Sequence, residues 1–453
     1  MNRWPDILRC PGCRGALRDG AGGALACDSC GASHPVHDGI PWLFRNGASA
    51  RAQWSAKLQH HVASVEQEIR QLASASQGSS WLPGTAQRLE RLRAGKRAQL
   101  SRVVELLAPF GLDEAAPESG LPEDRIPSVQ HLGSYLDTAF RDWCWGEAEV
   151  RDAVAWLAAQ LEAGEGDRAG RHAVVLGGGA GRLTCELAAL GPWASVVQLD
   201  VNPLLSRIAA LACRGESVEL TELPAIPLGL EHVAVEQSLR GVVEAPEPAP
   251  RFCLGDVFAP PFAEASIDVI VTPWFIDVLP EGFRALSRRI NRLLKPGGTW
   301  ISFGPLSFES LPEAARYTPE EVLEALVEAG MGVESHEIRR VPYLHSPHAM
   351  ARRHEEILGF RATRRTEAAD PGPFRYYPAW MTDSTRPIPA LPIWTQQQRQ
   401  KVFDVQILGL IDGRRSIDDV VSRLATEFEL PPDRCRAVVD RFFSSIIEES
   451  RGG

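Results

Sequence analysis

From His172 onward, short apolar runs alternate with stretches of helical periodicity, and few architectures tolerate that alternation. The runs His172–Leu176, Val196–Leu199 and Ile267–Val271 are apolar almost throughout, as strands covered on both faces must be. Strands of that kind separated by helices predict a parallel sheet with crossover helices, an α/β fold. The first run ends in Gly177-Gly178-Gly179-Ala180-Gly181, and acidic residues follow at later strand ends, Asp200 and Gly255-Asp256. A turn Lys295-Pro296-Gly297-Gly298 feeds one more strand.

The 453 residues exceed what one core usually holds and predict two or three domains. A 44% hydrophobic and 23% charged composition is that of a globular protein in water. The net charge of -10 argues against non-specific binding to nucleic acid or anionic membrane. Neither is expected as a partner. The first eight residues lack the apolar core of a signal peptide, and no run of about 18 apolar residues occurs, so a cytoplasmic protein is expected. Of the nine cysteines, four form two Cys-x-x-Cys pairs and five are single, which does not suit a disulfide framework.

Five regions are expected. Residues 1–45 are a compact Gly- and Cys-containing unit. Residues 52–165 read as a helical lid region, with helix over 52–105 and from about Leu136 to Leu161. An acidic surface loop is expected from Asp113 to Pro127. The core occupies 166–366, a proline-rich linker 367–395, and a small helical domain 396–453. Within the core, Phe283–Leu294 has a helical apolar face, and Thr318-Pro319-Glu320-Glu321 is a capping box closed by Gly330. A strand near Val333–Val341, a short helix near Pro347–Ile357 and a strand near Leu358–Ala362 should end the sheet.

A glycine-rich turn after a buried strand lets backbone approach a ligand and presents a helix N-terminus. The dinucleotide pattern Gly-x-Gly-x-x-Gly fails here, because its third glycine falls on Arg182 or Thr184. The order of landmarks instead fits S-adenosylmethionine. Gly177, Gly179 and Gly181 would approach the cofactor, Asp200 would accept from the ribose hydroxyls, and Asp256 with Val257 would meet the adenine. The alternatives are an acidic strand cap at Asp200 and a turn aspartate at Asp256. One departure is Val175, where an acid is usual. Trp274-Phe275 after Thr272-Pro273 partly echoes nitrogen-directed methyltransferases, and could equally be aromatics packed on the sheet end.

Residues 130–366 resemble the carnosine N-methyltransferase-like family of class I S-adenosylmethionine-dependent enzymes, whose founding member methylates an imidazole. Four segments carry the resemblance: Arg141-Asp142-Trp143 with Gly146-Glu147, Val175 to Leu183, Trp274-Phe275-Ile276-Asp277, and Lys295 to Leu306. It implies a Rossmann-like, seven-stranded class I core with a helical lid. It also implies that Arg141 touches the cofactor and that Asp277 orients the acceptor, whereas residue chemistry alone leaves Asp277 open as a helix cap. Tyr343 keeps a family tyrosine and is the second catalytic candidate. Elsewhere the family's acceptor residues are replaced: its histidine by Glu309, its tyrosines by Arg353 and Glu355, its asparagine by Ser346. Trp274, Phe275, Glu309 and Ser346 are the candidate substrate contacts, and carnosine is not the expected acceptor. His345, His348 and His354 lie close in sequence, as surface residues, substrate contacts or, least supported, metal ligands.

Cys10-Pro11-Gly12-Cys13 and Cys27-Asp28-Ser29-Cys30 have the spacing of a closed four-thiolate zinc site, so Cys10, Cys13, Cys27 and Cys30 are the metal candidates. With Gly31 through Pro41, the unit resembles the small zinc-ribbon proteins that activate tRNA and release-factor methyltransferases. Residues from Ile407 to Ile447 resemble the peptide-binding chaperone of pyrroloquinoline quinone biosynthesis; a plain helical capping domain is the alternative. The basic stretch Arg88 to Arg102 reads as a solvated helix face. The expected activity is transfer of a methyl group from S-adenosylmethionine to a nitrogen of a small molecule or peptide. A peptide-modifying enzyme recruited through the C-terminal domain and a non-catalytic binding protein are the alternatives. The oligomeric state is left open.

Overall fold

The computed structural model describes residues 4–76, 81–113, 126, 132–133, 135–164, 168–241, 246–382, 385–390 and 392–452. The acidic loop expected from Asp113 to Pro127 lies almost wholly outside them. The chain divides into two units, Met1–Tyr376 and Tyr377–Gly453.

The first unit opens with a three-stranded antiparallel ribbon, β1 (Leu17–Asp19), β2 (Leu25–Cys27) and β3 (Ser33–His34), followed by β4 (Val36–His37) and β5 (Ile40–Leu43). Two long helices come next, α1 (Gly47–Ala75) and α2 (Pro83–Leu107), so the helix expected over 52–105 is interrupted before Pro83-Gly84. Then α3 (Leu136–Phe140) runs through a π-helical turn, Arg141–Trp145, into α4 (Glu147–Glu162). The alternating core is β6 (His172–Leu176), α5 (Arg182–Ala189), β7 (Ser195–Asp200), α6 (Pro203–Cys213), the hairpin β8 (Val218–Glu222) and β9 (Val235–Leu239), β10 (Arg251–Gly255), β11 (Ile267–Pro273), α7 (Phe283–Leu293), β12 (Leu294–Gly304), α8 (Pro319–Glu328), β13 (Met331–Tyr343) and β14 (Arg353–Arg364).

The main sheet has the order β13-β14-β12-β11-β6-β7-β10-β5-β4. Its first seven strands form the Rossmann-like, seven-stranded sheet that was expected: β12, β11, β6, β7 and β10 pair in parallel, and β14 inserts antiparallel between β12 and β13. The order reverses between β6 and β11, and a doubly wound sheet has its ligand crevice at such a reversal, at the C-terminal strand ends. The remaining two strands come from the N-terminal region. β5 pairs in parallel with β10, matching Trp42 to Leu254 and Leu43 to Gly255. Trp42 and Leu43 are completely buried, so the ribbon shares the core of the sheet.

Two local expectations change. No helix forms over 347–357; β14 starts at Arg353 and stays paired with β13 through Met331–Arg364 and Tyr343–Arg353. His348 sits in the turn and His354 on the strand. The alternation His354, Glu356, Leu358, Phe360 and Ala362 suits a strand that becomes buried along its length, and this pattern outweighs the helical reading. Lys295–Gly298 is a bulge within β12, since Ile267 pairs with Leu294 and Val269 with Thr299, and Gly297 takes φ +76° to make it.

The second unit contains α9 (Ala379–Thr382), α10 (Pro392–Leu410), α11 (Ile417–Glu427) and α12 (Pro432–Gly452). Ile407, Val420, Val421, Leu424, Cys435 and Val439 form its core. Asp412 accepts the backbone N–H groups of Arg414 and Arg415 at 3.0 Å, and Ser416 with Asp419 forms a capping box on α11.

Candidate cofactor and acceptor site

A cavity of about 380 Å³ opens at the C-terminal ends of β6, β7, β10 and β11, the place the sheet order dictates. Its floor is the loop after β6. Gly177 takes φ +67°, and a Cβ there would lie 2.1 Å from the ring of Phe275, so only glycine fits. Gly179, at φ +56°, faces open space and donates its N–H to Asp200 Oδ2 at 3.0 Å. Gly181 does not line the cavity; it packs on Ala209 and starts α5.

Asp200 closes the next strand. Its Oδ1 accepts from the Asn202 N–H at 2.9 Å, and burial raises its pKa to about 6 despite the backbone donors. Asn202 also lines the cavity. Its Oδ1 caps α6 through the N–H groups of Leu204 and Leu205, while its buried Nδ2 finds no hydrogen-bond partner among the described residues. A buried amide donor left over beside a cavity can be satisfied there by an ordered water or by a ligand acceptor. At the far end, Asp256 and Val257 line the wall, and Asp256 Oδ1 accepts from the Phe258 N–H at 2.9 Å.

The π turn supplies the opposite wall. Arg141 lines the cavity, bonds Asp142 Oδ1 through Nε at 2.9 Å and Nη2 at 2.7 Å, and lies over the Trp274 ring at 5.7 Å. The neighbouring Trp143 Nε1 donates to Ala180 O in the glycine loop at 2.8 Å, tying this turn to the cavity floor. Gly146 is needed because a Cβ there would sit 2.3 Å from Arg141 Cγ. The Arg-Asp-Trp…Gly segment is thus one folded piece.

The other end of the cavity gathers Trp274, Phe275, Asp277, Ser307, Glu309, Tyr343, Arg353 and Glu355. Trp274 holds φ +46°, a conformation costly for a bulky residue and typical of a constrained site. Asp277 is buried, and its Oδ2 accepts both the Ser307 hydroxyl at 2.6 Å and the Ser307 N–H at 3.1 Å. Its Oδ1 has no partner among the described residues. Burial raises the Asp277 pKa, the two Ser307 bonds oppose that rise, and Glu309 adds to it. Tyr343 stacks under the Arg353 guanidinium at 4.5 Å, and Arg353 pairs with Glu355 at 3.1 Å.

Ser346 is not brought to the cavity: its hydroxyl bonds Glu222 Oε1, and it accepts from the His348 N–H at 3.1 Å. The three histidines also stand apart from the cavity wall, His348 against His232 with Nδ1 atoms 2.9 Å apart and His345 against His354. On α2, Arg93, Lys96 and Arg102 pair with Glu90, Glu68 and Glu105, and Arg91 donates to Leu230 O.

Sequence reasoning missed Ser307, Asn202 and Tyr376. Ser307 follows the recognised Gly304-Pro305-Leu306 directly, and Asn202 follows Asp200 as a legible helix cap. Tyr376, which lines the cavity beside Asp256, lies 120 residues beyond it and offers no local signal.

The four ribbon thiols lie together, with all Sγ atoms within 4.8 Å of one another, Cys10–Cys30 at 3.8 Å and Cys13–Cys27 at 3.4 Å. Tetrahedral zinc with ~2.3 Å Zn–S bonds spaces its sulfurs by about 3.8 Å, so the group fits that ion. His34 Nε2 lies 3.6 Å from Cys10 Sγ, close enough to support a thiolate.

A family model for carnosine N-methyltransferase matches residues 122–365, more than half of the chain. The chain belongs to the carnosine N-methyltransferase family. That family is one of S-adenosylmethionine-dependent methyltransferases, and the cavity lies where such a core carries its cofactor. Carnosine N-methyltransferase of Dictyostelium discoideum is 44% identical over 63 residues, 14% of this chain and 13% of that protein's length. A second model, coenzyme PQQ synthesis protein D, matches residues 405–450. Similar solved structures include a Methanosarcina mazei methyltransferase, with 14% identity, 43% of this chain and 92% of that one covered, and TM-score 0.31. A chain of the complex between the Haloferax volcanii Trm112 methyltransferase activator and a methyltransferase gives 16%, 52%, 96% and 0.31. Haemonchus contortus phosphoethanolamine N-methyltransferase 2 with S-adenosyl-L-methionine gives 14%, 53%, 61% and 0.33. No helix among the described residues is long and apolar enough to cross a membrane.

Proposed function

We propose that this protein transfers a methyl group from S-adenosylmethionine to a nitrogen, imidazole-like or amine, of a small molecule or peptide. When bound, the sulfonium cofactor supplies the electrophilic methyl group. Gly177, Gly179, Arg141, Asp200, Asp256 and Val257 would hold it, and the unpartnered Asn202 Nδ2 adds a donor beside Asp200.

The observation that carries the acceptor chemistry is Asp277. Ser307 fixes one carboxylate oxygen with two hydrogen bonds and leaves the other unpartnered among the described residues on the cavity wall. A fixed acceptor can hold one N–H of an imidazole or amine, set the tautomer and leave the remaining lone pair free to attack. Tyr343, under Arg353, and the rings of Trp274 and Phe275 would then exclude water. Glu309, where the family carries another residue, adds negative charge beside Asp277, while Arg353 neutralises Glu355, so this end is not the family's own and favours an acceptor other than carnosine. The four cysteines would hold a structural zinc with no open position.

A peptide acceptor recruited through the C-terminal unit is a second reading, supported by the PQQ synthesis protein D match over 405–450. Deleting 396–453 should then abolish activity on the peptide and leave cofactor binding intact. The primary test is calorimetry with S-adenosylmethionine followed by Asp277→Asn. The substitution should leave cofactor affinity nearly unchanged and lower turnover by at least 100-fold, the order expected for a lost positioned base or acceptor. An unchanged rate removes Asp277 from the mechanism.

A further inference from the structure

The family match ends at residue 365, yet the next stretch of chain returns to the cavity. Asn291 anchors it, donating from Nδ2 to Thr366 O at 3.0 Å and accepting the Ala368 N–H at 2.9 Å. Arg289 holds Gly372 O at 3.3 Å. Beyond that point Phe374 stacks on Phe258 with ring centres 4.2 Å apart, and Tyr376 meets both rings edge-on, 4.7 Å from Phe374 and 5.7 Å from Phe258. The Tyr376 hydroxyl then donates to Asp256 Oδ2 at 3.2 Å, while Asp256 Oδ1 accepts from the Phe258 N–H.

We propose that Tyr376 is a positioning residue that sets purine specificity through Asp256. This rests on the cofactor reading above. A carboxylate pinned through both oxygens cannot swing. It presents its remaining lone pairs in a fixed direction and accepts a donor such as the 6-amino group of adenine. A purine carrying a 6-oxo group offers an acceptor there, which faces a buried acceptor with no proton between them. Without the phenol, Asp256 can turn away or take up water, and the distinction weakens. The residue lies beyond the stretch that the family model matches.

Calorimetry with S-adenosylhomocysteine and its deaminated analogue S-inosylhomocysteine tests the idea on the full-length protein. Tyr376→Phe should weaken S-adenosylhomocysteine about fivefold, as expected for one lost hydrogen bond, and change the inosyl compound by less than twofold. In an Asp256→Ala background, which removes the hydrogen-bond partner altogether, the same substitution should have no further effect, because its influence runs through that side chain. Phe374→Leu loosens the ring stack without touching Asp256 and should preserve the adenosyl-to-inosyl ratio. Equal weakening of both ligands by Tyr376→Phe, or a ratio that falls as far in Phe374→Leu, overturns the proposal. Failure of the unmodified protein to bind S-adenosylhomocysteine refutes the cofactor reading itself.

Discussion

Stripping zinc from the N-terminal ribbon should weaken cofactor binding, although the cysteines do not line the cavity. The segment between β10 and β11 explains why. Asp256, Val257 and Phe258 wall one end of the cavity, proposed above to hold the adenine, and the residues after them are gripped by the first cysteine knuckle. The Arg9 N–H donates to Pro261 O at 2.9 Å, the Ala263 N–H donates to Ile7 O at 2.7 Å, and Arg14 Nη1 donates to Pro260 O at 2.6 Å. On the other side, β5 pairs with β10 up to Gly255, the residue before Asp256. This wall of the cavity is therefore held at both ends by the N-terminal module that carries the four cysteines. Three hydrogen bonds at roughly 1 kcal/mol each amount to about 3 kcal/mol of local order. If a third to a half of that reaches Asp256–Phe258, the coupling is about 1–1.5 kcal/mol, near tenfold in affinity. Calorimetry with S-adenosylhomocysteine, on chelator-stripped and zinc-reloaded protein, should show that difference in Kd. Reciprocity requires that saturating ligand raise the zinc affinity by the same factor, read as the zinc Kd from equilibrium competition with a chromogenic chelator. An equal zinc Kd with and without ligand would refute the linkage.

Other outcomes follow from single groups. If Asp200 holds the ribose as proposed, it does so best as a carboxylate; burial raises its pKa to about 6, so affinity should fall by up to tenfold per pH unit below that value. Its linkage to stability has the opposite sense. The folded pKa lies above the unfolded 3.8, so the folded state binds the proton more tightly, and the stabilisation present at low pH is lost as pH rises through about 6. Thermal melts and binding titrations across pH 4 to 8 should therefore move in opposite directions over that window. Gly177→Ala puts a Cβ in a left-handed backbone 2.1 Å from the Phe275 ring. It should cost roughly 2 kcal/mol or more in stability and abolish cofactor binding; a normal melting temperature with normal binding would contradict the packing described. Asp277→Asn should separate binding from turnover as stated above.

Local chemistry made much of this protein legible in its sequence. Apolar runs of strand length, a glycine loop between strand and helix, and a Thr-Pro-Glu-Glu cap encode themselves within a few residues, because each depends on backbone conformation and short-range burial. The four cysteines were legible for the same reason, since two knuckles fix ligand spacing before the chain folds. The helix expected over 347–357 failed because β14 takes its hydrogen bonds and its burial from β13 and β12, partners that no local window contains. Tertiary structure alone joined β5 to the edge of the sheet, removed Ser346 from the cavity, pinned one oxygen of Asp277 with Ser307 and carried Tyr376 onto Asp256. Those contacts join residues 30 to more than 200 positions apart, and their energy comes from burial and paired polar groups in the assembled core. Local sequence was enough for the core fold and the place of its glycine-rich loop, whereas packing across the chain decided which side chains line the cavity.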